Sequence, residues 1–374
     1  MELYLRNPRS ASSNPKVSGT LITHLHEHTD KVTQLAVQPD RTRFASASLD
    51  GSVLLWNSRN AVGDGYGAVR SEASFVFNRS TNINDGHVLW VDSGSSEPRI
   101  VTKVNFITSN EGSPEQIHVS NNITYVRSHH GMLYCLDLRV GRTNGSLGFH
   151  EVWRREVVKY HDHNVLFYVT SSCIDPTMEN WMVMCSTNKE LMLWDLRFRV
   201  QVNAWKTPHG LLPLRLWSNP LSSTVIVSIF LQGEIFPFSF IHVLLPFFNH
   251  RDNYFKDDLR NVSTALCVCE DTGFVYTGDS EGSLRRWNLN WASLCEYITR
   301  SPCRIAYNEM AGSAGQPTTI FELRVPNEHT KLRSFPDLKS QASTRHRTSV
   351  SDVLCLESDI LVSASADGVI KIWK

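Results

Sequence analysis

The hydrophobic pattern of the chain recurs in a short unit that is clearest near its two ends. One copy spans Ser46–Trp56 and another spans Ser363–Trp373. In each, a small apolar stretch leads to an Asp-Gly pair, beginning at Asp50 or Asp367, and a Val/Ile/Leu run follows and ends on the tryptophan. A polar residue before glycine favours a tight turn, and the flanking runs favour strands. The unit therefore predicts a β-hairpin.

The same template fits five more places in the chain. Its turns fall at positions 50, 85, 130, 188, 232, 281 and 367, with spacings of 35, 45, 58, 44, 49 and 86 residues. The copies ending at Trp194 and Trp287 are strong, whereas the turns at Asp85, His130 and Gln232 are degenerate. Repeats of about 40–50 residues are typical of four-stranded propeller blades. The sequence thus predicts an all-β, seven-bladed β-propeller.

Further strands flank each strong turn. The strand before the turn is predicted at Arg43–Ser48, Trp181–Ser186, Phe274–Thr277 and Ile360–Ser365. The strand before that is predicted at Val32–Val37, Val165–Ile174, Val262–Val268 and Val350–Leu356. A fourth strand follows the tryptophan, as in Val200–Trp205.

The two ends of the chain predict how the ring closes. The last unit stops at its third strand, while Thr20–Leu25 precedes the first unit and lacks a partner of its own. Since ring closure removes free sheet edges, we expect this N-terminal strand to complete the last blade. The prediction is one propeller domain over residues 19–374, after a flexible tail over residues 1–18.

Two regions depart from the repeat. The second blade, with its turn at Asp85, is irregular. Between Trp56 and Asp85 there are too few residues for both the fourth strand of the first blade and a new first strand, so the second blade has three strands or its assignment is wrong. The wide last spacing predicts a surface insertion over about residues 300–345, with a hairpin at Thr318–Val325. Long loops of this kind are usually functional or disordered.

The apolar segment Ser222–Phe248 is long enough to raise the question of a membrane span. It carries Glu234 near its middle, and a central carboxylate costs about 2.5–3.5 kcal/mol in lipid. A turn around Gln232-Gly233 divides it into Thr224–Phe230 and Ile235–Phe240. We therefore interpret it as two buried strands.

Composition narrows the class of partner. The 374 residues include 37 basic and 37 acidic side chains, so the net charge is zero. This balance argues against nucleic-acid binding and against a polybasic membrane anchor. Eight scattered cysteines and the lack of an apolar leader indicate a reducing, cytoplasmic compartment.

Few residues are candidates for chemistry. His24, His26 and His28 alternate along a strand and would offer one face to a metal, but a structural role is the stronger interpretation. Cys267-x-Cys269 lacks a second pair at zinc spacing, and His161-Asp162-His163 has no nucleophile nearby. Without a catalytic motif or nucleotide loop, a binding module that needs no cofactor is the default.

The repeated units resemble WD repeats. In that family a histidine about 22 residues before the turn aspartate bonds, inside the blade, with that aspartate, a serine or threonine and the tryptophan. The resemblance implies structural roles for His28, Ser46, Ser48, Asp50, Trp56, Trp194, Asp195, Trp287, Ser363, Ser365, Asp367 and Trp373.

A narrower resemblance is to the C-terminal propeller of the regulatory subunit of class III phosphatidylinositol 3-kinase. It rests on the stretch His24–His28 (HLHEH), on Trp194–Phe198 (WDLRF) and on the ending Ala366–Lys374. It covers residues 19–57, 181–218, 262–290 and 347–374 closely and the remainder only in architecture. The family's kinase-like and helical-repeat domains have no counterpart here, so we expect no enzyme activity and a fragment or short form.

The resemblance implies a scaffold. Its expected partners are the class III lipid kinase catalytic subunit and Beclin-like coiled-coil subunits, supporting phosphatidylinositol 3-phosphate production in endosomal sorting and autophagy. We expect it on late endosomal and autophagosomal membranes only indirectly, through the complex, with no nucleic-acid partner or small-molecule substrate.

Two other classes of function stay open. Arg197 and Arg139 end W-D-x-R-like segments and are candidate partner contacts on one rim. They make a substrate receptor of a cullin-RING ubiquitin ligase the alternative hypothesis. An enzyme that uses the propeller channel as its pocket is the weakest of the three.

Overall fold

The fold was derived from a computed structural model of the chain. It describes residues 19–38, 40–63, 69–76, 90–91, 99–100, 114–120, 123–128, 130–137, 142–143, 146–147, 150–157, 168–176, 178, 180–207, 212–218, 224–229, 235–239, 263–287, 295–299, 344–357 and 360–374. The predicted tail over residues 1–18, the degenerate turns at Asp85 and Gln232 and nearly all of the predicted insertion lie outside these residues.

Short strands make up nearly all of the regular structure. The first are β1 (Leu21–Leu25), β2 (Val32–Val37), β3 (Arg43–Ser48), β4 (Ser52–Asn57), β5 (Ala73–Val76), β6 (Trp90–Val91), β7 (Arg99–Ile100), β8 (Pro114–Ser120), β9 (Ile123–Ser128) and β10 (Met132–Asp137). Next are β11 (Arg142–Thr143), β12 (Ser146–Leu147), β13 (His150–Glu156), β14 (Val169–Ile174), β15 (Trp181–Ser186), β16 (Glu190–Asp195), β17 (Val200–Lys206), β18 (Pro213–Ser218), β19 (Thr224–Ile229) and β20 (Ile235–Ser239). The last are β21 (Ser263–Val268), β22 (Val275–Asp279), β23 (Leu284–Trp287), β24 (Cys295–Tyr297), β25 (Val350–Glu357), β26 (Ile360–Ser365) and β27 (Ile370–Trp373). A short helix, α1 (Ser58–Val62), follows β4.

The strands form antiparallel blades, so the predicted all-β propeller architecture is confirmed. Over the described ranges, five sheets have four strands: β2–β5, β8-β9-β10-β13, β14–β17, β21–β24 and β25-β26-β27-β1. A sixth sheet, β18–β20, has three strands, and β6-β7 and β11-β12 are two-stranded pairs. Seven complete blades are therefore not confirmed, and neither is closure of the ring.

The turn chemistry read from the sequence matches the backbone. Gly51, Gly131, Gly282 and Gly368 all have φ between 81° and 84°, in the left-handed region that glycine enters without a steric penalty. Where the unit at β15–β16 lacks the glycine, Lys189 occupies the same position at a φ of 63°. The hairpin geometry is thus retained at this unit, with a side chain in a conformation that costs more than it would for glycine.

The innermost strands of six successive sheets share one irregularity. The register shifts near the start of β2, β8, β14, β18, β21 and β25, each time across one skipped residue. At three of these bulges a threonine hydroxyl, on Thr33, Thr170 or Thr264, donates to a carbonyl of the next strand in its own sheet. The repeat is therefore recorded in the backbone even where the sequence motif is degenerate.

Side chains on the innermost strands also bond to the neighbouring sheet. The Thr170 hydroxyl donates to the Pro213 carbonyl oxygen at 2.8 Å, and Arg215 Nε donates to the Thr264 carbonyl oxygen at 3.0 Å. Asp352 accepts from the Leu35 backbone N–H at 2.7 Å. These bonds link successive sheets, which pack in the order β8–β13, β14–β17, β18–β20, β21–β24, β25–β27 with β1, and β2–β5.

The hydrophobic core lies between sheets rather than within one layer. One cluster joins Phe44 and Trp56 of the β2–β5 sheet to Leu356 and Ile372 of the last sheet. A second joins Tyr276 of the β21–β24 sheet to Trp373 on the other face of the last sheet. Because the last sheet is covered on both faces, strand β26 is buried at nearly every position.

The N-terminal strand completes the last sheet, as the sequence predicts. Strand β1 pairs antiparallel with β27, with Leu21 opposite Trp373. Beyond the ladder, the Thr20 N–H donates to the Lys374 carbonyl oxygen at 2.7 Å and the Lys374 N–H donates to the Thr20 carbonyl oxygen at 2.9 Å. The side chain of Leu25 is buried between the last sheet and the β2–β5 sheet.

Two other predictions meet different outcomes. The segment at 222–248 does contain two strands, because β19 pairs with β20, and no helix in the described part of the chain is long and apolar enough to cross a membrane. After Trp56 the first unit does gain a fourth strand, β5, after helix α1 and a connection. Of the residues that the structure describes between β5 and β8, those of the β6-β7 pair are in strands.

Deleting residues 1–25 removes β1, and it should lower the free energy of unfolding by roughly 3 kcal/mol or more. The deletion withdraws buried Leu25 and leaves the edge of β27 without its partner. Thermal unfolding measures the effect, and deletion of residues 1–18 is the control that keeps β1. An unchanged melting temperature for the longer deletion would contradict the structural role of this strand.

Candidate partner-binding surface

A buried hydrogen-bond network ties the first hairpin to the segment that precedes β2. His28 Nε2 lies 2.7 Å from the Ser46 hydroxyl, which also accepts from Trp56 Nε1 at 2.8 Å. At the opposite nitrogen of the imidazole, His28 Nδ1 lies 2.9 Å from the Ser52 hydroxyl and 3.3 Å from an Asp50 carboxylate oxygen. The network thus joins β3, β4, their turn and the loop before β2.

Ser48 lies next to this network, but its hydroxyl bonds to the backbone at the turn instead. Its hydroxyl donates to the Asp30 carbonyl oxygen at 2.9 Å and accepts from the Asp50 backbone N–H at 3.2 Å. Of the two serines that the sequence offered for the network, the geometry places Ser46 between His28 and Trp56.

The last sheet repeats the histidine–serine–tryptophan part of this network, whereas His346 Nδ1 is buried without a hydrogen-bond partner in the described part of the chain. His346 Nε2 lies 2.7 Å from the Ser363 hydroxyl, which accepts from Trp373 Nε1 at 2.9 Å. Ser365 bonds to Asp367 at the turn. Sequence reasoning missed His346 because it lies within a polar run, residues 343–347, at the end of the predicted insertion. The separation from histidine to serine, 17 residues here and 18 in the first network, is the signal that identifies it.

The other two strong units keep less of the network. Trp287 Nε1 donates to the Thr277 hydroxyl at 2.9 Å, so a threonine replaces the serine. Trp194 Nε1 is buried and has no hydrogen-bond partner in the described part of the chain. The residue opposite it on β15 is Met182, and Met184 stands where the other units carry the hydroxyl. Trp194 is therefore held by packing alone, within a cluster that includes both methionines.

Trp373→Phe should destabilise the chain by about 1–2 kcal/mol more than Trp194→Phe. Both changes keep an aromatic ring, but only the first takes a donor away from a buried hydroxyl. Chemical denaturation of the two variants beside the wild type measures the difference. Equal losses would show that the serine–tryptophan bond adds no stability of its own.

The networks make stability depend on pH. Burial lowers the pKa of His28, against the opposing effect of the Asp50 carboxylate, and lowers the pKa of His346 to about 3. An unfolded chain takes up protons on these rings below their ordinary pKa of about 6.5, whereas the folded chain does not. The stability that each neutral ring contributes is therefore complete above that pH and is lost as the pH falls below it, toward 3 in the case of His346.

Replacing His346 by glutamine should flatten the acid side of the stability profile. Between pH 6.5 and pH 4 the wild-type free energy of unfolding should fall with a contribution of up to about 1.4 kcal/mol per pH unit from this ring. The exposed His26→Gln is the matched control. Denaturant unfolding at several pH values measures the slopes, and equal slopes for both variants would rule out His346 as the source.

The segment Trp194–Phe198 (WDLRF) begins at the end of β16 and leads toward β17. It forms a rigid turn that presents side chains to solvent. Asp195 accepts from the backbone N–H groups of Arg197 and Phe198 at 2.9 and 3.1 Å, which fixes the turn. The Arg197 guanidinium forks onto the same carboxylate, with Nη2 at 2.7 Å from Oδ2, and this bond lowers the pKa of Asp195. Arg199 ends the turn at a φ of 58° and stacks on Trp153 of the neighbouring sheet.

This turn and the strand after it form an exposed apolar surface, which we call the outer patch: Phe198, Val200 and Val202. The Phe198 side chain is 72% exposed and lies beneath the Arg197 guanidinium, 5.5 Å from its ring centroid. Val200 and Val202 are 49% and 59% exposed on β17, the outermost strand of its sheet, and Val202 is the residue that the register shift skips. Sequence reasoning identified Arg197 as a candidate contact but did not identify the patch, although valines at alternate positions of β17 indicate it.

The remaining candidates lie as follows. The His24 and His26 rings lie 5.6 Å apart, and no group of three or more His, Cys, Asp or Glu side chains among the described residues is arranged to hold a metal ion. Cys267 and Cys269 are buried, free thiols. The cluster at 161–163 and Arg139 lie outside the described residues.

Comparisons with known proteins agree with this geometry. The family described as WD domain, G-beta repeat, matches residues 19–57 and 339–374, which contain the two complete networks. The chain therefore carries WD repeats.

Two curated relatives extend the likeness. The chain is 25% identical over 450 aligned positions to the serine/threonine-protein kinase VPS15 of Arabidopsis thaliana, covering 96% of this chain and 29% of that protein. It is 22% identical over 218 positions to the putative serine/threonine-protein kinase VPS15 of Komagataella pastoris, covering 54% of this chain and 16% of that protein. The chain thus spans less than a third of the length of these relatives. VPS15 is the regulatory subunit of the phosphatidylinositol 3-kinase whose WD propeller the sequence resembles, so that resemblance is confirmed.

Proposed function

We propose that this chain, a WD-repeat protein similar to VPS15, is a non-catalytic protein-interaction scaffold. The observation that carries the proposal is the outer patch, an apolar surface held in a fixed shape by the Asp195 turn. Exposed aromatic and arginine side chains on a rigid support are typical of the centres of protein interfaces. Preorganisation reduces the entropy lost when a partner binds.

In this proposal the whole propeller is a seven-bladed ring. The β6-β7 pair belongs to the blade between the β2–β5 and β8–β13 sheets, and β1 closes the ring by completing the last blade. The order in which the other six sheets pack supports this arrangement. A closed ring is rigid and offers several faces, which suits a protein that holds more than one partner.

The proposed partners are subunits of a class III phosphatidylinositol 3-kinase complex. The likeness to VPS15 supports them, and they comprise the lipid kinase catalytic subunit and Beclin-like coiled-coil subunits. The chain would act in endosomal sorting and autophagy, and it would reach late endosomal and autophagosomal membranes through these partners. Its zero net charge agrees with an indirect membrane contact.

The alternative is a substrate receptor of a cullin-RING ubiquitin ligase that docks through Arg197. The Arg197 side chain is 58% exposed, so a partner has access to it. However, its guanidinium already makes two bonds to Asp195, which leaves fewer donors for an adaptor. The apolar surface beside it therefore favours the scaffold.

The test is co-purification of the tagged chain from cells, with the class III lipid kinase and Beclin-like subunits quantified by mass spectrometry. Val202→Asp should reduce their recovery at least tenfold, because a carboxylate buried in an apolar contact loses its hydration without gaining a partner. Val76→Asp is the matched control, since Val76 is 77% exposed on β5, the outermost strand of another sheet.

Two outcomes contradict the proposal. Equal recovery with the two variants would exclude the outer patch as the docking surface. Recovery of a cullin adaptor in place of the lipid kinase subunits, lost on Arg197→Ala, would replace the scaffold by the ligase receptor.

A further inference from the structure

Strand β17 has an open outer edge. It is the outermost strand of its sheet, and among the described residues it pairs with β16 on one side only. Six of its seven residues are exposed, and Trp205 is half-buried. The outer edge of a strand presents backbone N–H and C=O groups to which another strand can bond.

The hydrogen bonds at the end of β17 show which backbone groups face this edge. The Thr207 N–H donates to the Lys189 carbonyl oxygen at 2.8 Å, so it points toward β16. Because backbone groups alternate in direction along a strand, those of Lys206 and Ala204 point away from β16. The Ala204 N–H donates to Oδ1 of the Asn203 side chain at 2.8 Å. A side-chain amide therefore occupies the place that a carbonyl of an added strand would take.

The other outermost strands of the described sheets carry features that discourage such pairing. Strands β1, β5 and β24 have only five, four and three residues. Strand β20, the last of the three-stranded sheet, contains Pro237. Strand β13 has seven residues, as β17 does, but four of them are charged: Glu151, Arg154, Arg155 and Glu156. Short length, proline and charge each protect an edge, and β17 has none of them before its terminal Lys206.

The charges around β17 define what fits its edge. The uncharged run Val200–Trp205 lies between Arg199 and Lys206. Glu190 lies opposite Lys206 on β16, and the other side of Lys206 is the open edge. Antiparallel pairing of two copies over this run would place Arg199 of each opposite Lys206 of the other, and like charges directly opposite destabilise a sheet. A strand with carboxylates at both ends matches both charges, so a different protein fits better than a second copy.

We propose that β17 binds an extended segment of a partner subunit by strand addition, and that this segment is uncharged in its middle and acidic at both ends. Its backbone bonds to the outward groups of Ala204 and Lys206, and Asn203 releases the Ala204 N–H. In strand addition the backbone bonds supply affinity and the side chains supply specificity. The inference rests on the proposed function, because the added strand lies beside the outer patch.

The first experiment repeats the co-purification of the lipid kinase and Beclin-like subunits with Ala204→Pro. Proline removes the outward N–H and leaves Phe198, Val200 and Val202 in place, and an edge strand tolerates proline where its N–H faces outward. Recovery should fall about fivefold or more, because the added strand loses a backbone bond and meets the ring.

Arg154→Pro is the matched control. Arg154 lies opposite Tyr134 three residues before Val157, just as Ala204 lies opposite Met192 three residues before Thr207. The Val157 N–H donates inward to the Gly131 carbonyl oxygen, so the Arg154 N–H also points outward. Recovery with this variant should equal that of the wild type.

Thermal melting verifies that each proline variant is folded. If Ala204→Pro does not fold, Ala204→Lys takes its place, because it keeps the N–H and puts a charge into the uncharged run of the edge. The same loss of recovery is expected.

The outcomes separate the two proposals. Loss of recovery with Val202→Asp but not with a folded Ala204 variant would overturn strand addition and leave the scaffold proposal standing. Recovery unchanged by Val202→Asp and by the Ala204 variant would contradict both.

A peptide gives a second readout that does not use the complex. The probes are the capped peptides EVTVTVE and KVTVTVK, titrated into the purified chain and followed by calorimetry. The acidic-ended peptide should bind saturably and about fivefold or more tighter than its lysine-ended counterpart, because its ends meet Arg199 and Lys206. Binding should be lost with Ala204→Pro and kept with Arg154→Pro. Absence of saturable binding, or equal affinity for the two peptides, would overturn the inference.

Discussion

The fold depends on one constraint: the central strands whose burial the structure describes must be covered on both faces of their sheets. Strands β3, β15 and β26 are buried almost throughout, so no blade is stable as an isolated layer. The clusters that satisfy this need lie between sheets, and the bonds of Thr170, Arg215 and Asp352 set how one innermost strand lies on the next. Stability is thus a property of sheet pairs, as expected of repeat architectures.

The tryptophans of the repeated units are all packed in the core, but they differ in their hydrogen bonds. The first and last sheets, which meet each other and the N-terminal strand, carry complete histidine–serine–tryptophan networks. The sheet of Trp194 lacks the bond and relies on two flexible methionines, which pack well around a large ring. The same sheet bears the outer patch. The two sheets that hold the ends of the chain together therefore carry these bonds, whereas the sheet with the outer patch holds Trp194 by packing.

Much of this was accessible from the sequence because turns and apolar runs are local signals. Strands β2, β3, β15 and β26 have the bounds predicted for them, and the pairing of β1 with the last sheet follows from counting strands. His346 was missed because it stands within a polar run, residues 343–347, that has the composition of a loop. The place of β5 in the first sheet was not predicted because this strand follows a helix and an irregular connection, which no period of two reveals. The alternating valines of the outer patch are visible in the sequence, but their exposure depends on β17 being the outermost strand of its sheet, and local sequence does not contain that information.

The pairing of β1 with β27 also has a mechanical meaning. Thr20 and Lys374 bond to each other at the same end of an antiparallel pair, so a load that pulls the two ends apart acts on one hydrogen bond at a time. Such a load opens the pair like a zipper, whereas a load spread along the strands would have to break every bond of the ladder at once. A tether attached before Thr20 and another attached after Lys374 would therefore make this seam the first part of the fold to yield under tension.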